Sequence, residues 1–112
     1  MTEVKYGVKI TVVKTEFYED LVADVDESTE ENGQFTRCPY FKVGDVMLVT
    51  HVDDLPEHFK CMWAWADIGR DIAMILYGGQ PQPVLKNPHS MFSCCDEGLR
   101  PVVFKLERIK IG

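Results

Sequence analysis

The run from Glu57 to Tyr77, closed by Gly78-Gly79 and Pro81, constrains the fold more than any other stretch. Cys61, Ala64, Trp65, Ile68, Ile72, Ile75 and Leu76 recur at three- and four-residue spacing, the stripe of a helix with one buried side. Asp67 and Arg70 mark the opposite face, and Asp71 lies at the edge of the stripe. Gly69 costs about 1 kcal/mol relative to Ala without breaking the pattern. Gly78-Gly79 supplies the positive-φ residue that ends such a helix, and Pro81 prevents its resumption. The spacing therefore predicts one main helix over about 57–77.

The remaining elements are shorter. Tyr6, Val8, Ile10 and Val12 alternate with Gly7, Lys9 and Thr11, as in a strand with one buried face. Phe17, Leu21 and Val25 at four-residue spacing indicate a short acidic helix, and Asp26 through Gly33 then reads as a charged loop. Gly44-Asp45 is a turn signal before a second strand at Val46–Val52, and Asp53-Asp54-Leu55-Pro56 breaks that strand. Three prolines between Gln80 and Ser93 indicate a long surface connection. The last element, Pro101 to Ile111, is strand-like. Val102, Phe104 and Leu106 share one face and Ile109 and Ile111 the other, which a bulge near Glu107 would reconcile. These elements predict a small α+β fold, a mostly antiparallel sheet packed on one main helix with a short N-terminal acidic helix.

At 112 residues the expectation is a single domain over 1–112. No apolar run approaches the roughly 20 residues needed to span a bilayer, and the N-terminus has no secretory pattern, so the expected location is cytoplasmic. The net charge of −6 is concentrated: eight carboxylates and no Lys or Arg lie between Glu16 and Glu31. Phosphate backbones repel such a chain, and no basic stripe offsets this, which argues against nucleic-acid binding.

Several blocks resemble a prokaryotic family of uncharacterised domains of about this length, some of them tandemly repeated. They are Cys38-Pro39-x-Phe41-x-x-Gly44, Cys61-x-Trp63-Ala64-Trp65-Ala66-Asp67-Ile68, Tyr77-Gly78-Gly79, and Cys94-Cys95 followed by Gly98-Leu99-Arg100-Pro101-Val102-x-Phe104-Lys105-x-Glu107-Arg108. The blocks span nearly the whole chain. The resemblance implies that Cys38, Cys61 and one of Cys94 or Cys95 occupy family cysteine positions, and it carries no assigned activity. The chain departs from the family pattern at Asp96-Glu97-Gly98, where members are closer to an Asp-Gly turn.

Four cysteines in a chain of this kind indicate buried thiols, metal ligands or redox chemistry rather than structural disulfides. A zinc or iron site from Cys38, His58, Cys61 and one of Cys94 or Cys95 is chemically sensible, with His58-x-x-Cys61 the only local ligand spacing. The plainer alternative is that the thiols are small buried side chains. Cys61 lies near the helix start, where a thiolate is favoured, although no catalytic partner is evident. Trp65 joins the apolar stripe. Trp63 faces the Asp67 and Arg70 side, so it is either an exposed contact residue beside Met62 or is covered by the 80–93 connection. Arg100 is expected to pair with a carboxylate, and Asp96 is expected to approach Asp67 from the later turn.

Three functions remain open on these grounds. The leading one is a non-catalytic binding or accessory module that self-associates as a homo-oligomer or docks on a protein partner. The others are a thiol-dependent metal or redox protein, and a small-molecule enzyme with a pocket near Trp63, Asp67 and Arg100. No set of catalytic residues is assigned.

Overall fold

Alternating apolar residues in four segments pair into an antiparallel sheet, and the structure, a computed structural model, describes residues 5–25, 36–51 and 59–112. The elements are β1 (Tyr6–Thr15), α1 (Glu19–Val25), β2 (Val46–Val49), α2 (Met62–Leu76), β3 (Ser90–Cys94) and β4 (Val102–Lys110). The strand order is β2-β1-β4-β3, which makes β1 and β4 the central pair. This is the α+β arrangement expected from the sequence, with a main helix on one side of an antiparallel sheet and a short acidic helix after β1. No helix among the described residues is long and apolar enough to cross a membrane.

The core lies between α2 and one sheet face. Val8, Ile10 and Val12 of β1, Met47 and Val49 of β2, and Val102, Phe104 and Leu106 of β4 are all buried. Ala64, Ile68, Ile72 and Ile75 of α2 close over them. The register sets Leu106 against Ile10 and Phe104 against Val12, so large side chains from both central strands meet the helix stripe. Phe104 is the hub. Its ring meets Phe41 edge-on at 5.2 Å between centroids and stacks with Phe59 at 5.8 Å. Phe59 in turn meets Phe41 at 5.2 Å and Trp65 at 5.3 Å, both edge-to-face geometries that suit the ring quadrupoles.

Helix α2 ends as its glycines predict. The Gly79 N–H donates to the Met74 carbonyl and the Gly78 N–H to that of Ile75, with Gly78 at φ +95°, the Schellman pairing. Gly79 is required for a different reason: an added Cβ would lie 2.8 Å from the Met74 carbonyl oxygen. His89 fastens the following loop to this end of the helix, its Nδ1–H donating to the Gly79 carbonyl at 2.9 Å.

Five expectations are corrected. Helix α2 begins at Met62 rather than near Glu57, because residues 59–61 are not helical and Cys61, with extended backbone, is the N-cap. Strand β3 occupies Ser90–Cys94, taking up the end of the 80–93 stretch expected to be connection, because β4 offers it a free edge to pair with. The bulge lies on β1 between Val12 and Lys14, not near Glu107, where the β4 pairing runs without a break. Ile109 needs no bulge since it sits half-buried on the open face. In α1 the buried residue is Val22, whereas Leu21 is exposed, and β2 ends at Val49. Residues 26–33, Val52, the 53–56 break, Glu57 and His58 lie outside the described residues.

Truncating the hub should cost most. Phe104→Ala is expected to lower unfolding free energy by about 3–5 kcal/mol in urea titration. Phe92→Ala, on the open face of the sheet, should stay within about 0.5 kcal/mol. Equal effects of the two would contradict the placement of the core.

Candidate functional site

The N-terminal end of α2 faces the segment that joins β3 to β4, and between them lies a cleft of about 520 Å³. Its position follows from the aromatic hub beneath it. Cys38 lies three residues before Phe41, and Cys61 two residues after Phe59. Cys95 is tied to Val102, two residues before Phe104. Packing three rings together thus carries three cysteines to the wall of one concavity.

Each wall is held by specific bonds. Cys61 caps α2, its Sγ accepting the Ala64 N–H at 3.5 Å, which satisfies one of the donors a helix start leaves open. The Cys95 N–H donates to the Val102 carbonyl at 3.2 Å, and the Val102 N–H donates to the Cys95 Sγ at 3.3 Å. Asp67, on the second turn of α2, accepts the Asp96 N–H at 2.9 Å. Asp71, one turn on, accepts the Ser93 hydroxyl at 2.7 Å. These two carboxylates staple the helix to the end of β3 and the turn after it. Asp96 does approach Asp67, as expected, but through its backbone N–H. The Glu97 side chain accepts the Leu99 N–H at 3.0 Å, so this carboxylate shapes the turn. Arg100 donates to the Thr36 carbonyl at 3.2 Å, which joins the turn to the segment carrying Cys38.

The residues singled out in the sequence fall as follows. Cys38, Cys61, Cys95, Trp63, Asp67 and Arg100 all line the cleft. Cys94 does not. It pairs with Val103, so strand alternation turns it to the opposite face of the sheet, where it is exposed. All four cysteines are free thiols. His58 lies outside the described residues. Among the described residues no three His, Cys, Asp or Glu side chains form a group that could hold a metal ion.

Trp65 is partly buried against Phe59, whereas Trp63 is 81% exposed at the rim. The 80–93 connection is fastened at the other end of α2 and leaves Trp63 uncovered. Met62 and Tyr40 are also exposed beside it. Tyr40, Lys60 and Glu97 were not singled out from the sequence as site residues. Their types are ordinary for a surface, and only the Cys-Pro-x-Phe and Cys-x-Trp blocks around them hinted at the location. The mixed lining of thiols, aromatics, both signs of charge and backbone amides suits recognition of a ligand with apolar and polar parts. No family profile, curated protein or solved structure matches the chain.

The Asp67 staple makes a local prediction. Asp67→Ala should cost about 1 kcal/mol of global stability, since the bond is exposed to water. It should also accelerate hydrogen exchange at the Asp96 amide by about tenfold or more. Unchanged exchange there would mean that the staple does not hold the cleft wall.

Proposed function

We propose that this chain is a non-catalytic binding module that holds a protein segment in the cleft at the start of α2. The observation that carries the reading is Trp63, standing 81% exposed at the rim of a concave site with Met62 and Tyr40 beside it. Aromatic side chains and Met are enriched at recognition surfaces, where covering one large ring removes much apolar area from water. The ionisable side chains support a binding role over catalysis. Asp67 and Arg100 are engaged in bonds that build the walls. The occupant is a segment of another protein or of a second copy of this chain, and the resemblance to a partly repeat-bearing family favours association between such domains.

Thiol chemistry is the second reading, favoured by the three cysteines that line the same cleft. It shares the cleft and does not compete with binding under reducing conditions.

Panning a displayed random-peptide library against the folded, reduced chain tests the binding reading. Enriched peptides should bind the wild type and lose affinity by at least about tenfold, or 1.4 kcal/mol, in Trp63→Ala. Sedimentation of both proteins over a concentration series then shows whether a second copy is the natural occupant, through association that Trp63→Ala abolishes. No enrichment, or peptides indifferent to the substitution, would contradict the proposal.

A further inference from the structure

Three of the four cysteines come from segments far apart in the chain, yet Cys38, Cys61 and Cys95 line one cavity as free thiols. Each is half-buried, so each sulfur is partly screened from bulk water while its residue borders the cleft. Two of the sulfurs are aimed at by backbone donors, Cys61 by the Ala64 N–H and Cys95 by the Val102 N–H. A donor so placed stabilises negative charge on sulfur as it attacks or departs. Lys60 and Arg100 share the lining with Asp67, Asp96 and Glu97, so the cleft presents both signs of charge and suits ligands that carry both ammonium and carboxylate groups. Cys94 supplies a contrast within the molecule: it is the more exposed thiol and lies on the far face of the sheet.

From this arrangement we infer that the cleft is a site of thiol–disulfide exchange with small disulfides that carry both ammonium and carboxylate groups, ending in a disulfide that joins Cys61 to Cys38 or Cys95. The Cys61 thiolate attacks one sulfur of the small disulfide. A protein–small-molecule disulfide forms, and the first small thiolate leaves. A second cleft thiolate, from Cys38 or Cys95, then attacks the Cys61 sulfur and expels the other half as a second small thiolate. Two protein thiols are oxidised, one small disulfide is reduced to two thiols, and the two protons lost by the protein thiols are taken up by those products. Cys61 takes the first step because it lies at the rim, next to the exposed Met62 and Trp63, where a ligand enters. The inference uses the same cleft as the binding reading, but its readout is independent of any partner.

The test is a titration of the folded chain with oxidised glutathione, followed by intact-mass and peptide mapping. The expected product has lost two hydrogens, with one internal disulfide linking Cys61 to Cys38 or Cys95. Cys94→Ser should form it at the wild-type rate, whereas Cys61→Ser should slow the loss of cleft thiols by about tenfold or more. Should Cys61→Ser fail to fold, the wild type decides alone, through the order in which its cysteines react with iodoacetamide after partial oxidation. Protection of Cys61 together with one other cleft cysteine, and not Cys94, supports the inference. Modification of Cys94 alone, or cleft thiols that react only in denaturant, would overturn it. Because peptide binding to the reduced chain is measured separately, either result leaves the binding reading to stand or fall by its own test.

Discussion

The packing of Phe41, Phe59 and Phe104 is the interaction on which the rest of this molecule depends. Phe104 is fully buried at the centre of the sheet, and the other two rings, each 4% exposed, reach it from segments with no regular structure of their own. Irregular backbone is ordered only where side-chain burial outweighs the entropy of fixing it, on the order of 1–2 kcal/mol per residue. Two buried phenyl rings, at roughly 1.5–3 kcal/mol each, supply much of that for the short stretches around Cys38 and Cys61. The hub therefore does two things at once: it completes the core, and it sets the positions from which the cleft is lined.

On that frame the polar groups act as staples. Asp67 and Asp71 rise from successive turns of α2 and accept donors from the end of β3 and the turn beyond it. Arg100 ties that same turn to the segment before Cys38. Three elements that the core alone would leave at approximate separations are thereby fixed around one concavity. The surface left facing outward is apolar at Tyr40, Met62 and Trp63.

How much of this was legible in the sequence varied with the kind of signal. The C-terminus of α2 was readable because a Schellman ending demands a residue at positive φ, and Gly78-Gly79 announces it. The N-terminus was not, because its cap is a cysteine, an unusual choice beside Ser, Thr, Asp and Asn, while Asp53-Asp54 with Pro56 offered a more conventional start. Strand β3 was missed since Ser-Met-Phe-Ser-Cys has no β-branched residue and follows three prolines; it exists because β4 pairs with it. The chemistry-bearing residues could be named from their types and blocks, but only tertiary packing decides that six of them share a cleft. It also separates Cys95 from Cys94, a distinction that rests on strand alternation in an element the sequence did not reveal.

The central claim is that the aromatic hub gathers three distant thiols about one cleft and leaves the fourth outside it. Cross-linking of the folded, reduced chain with dibromobimane, which becomes fluorescent when both of its arms are alkylated by thiols, tests this most directly. The account predicts internal cross-links that map among Cys38, Cys61 and Cys95, abolished in denaturant and retained in Cys94→Ser. Cross-links that require Cys94, or none at all in the folded state, would contradict it.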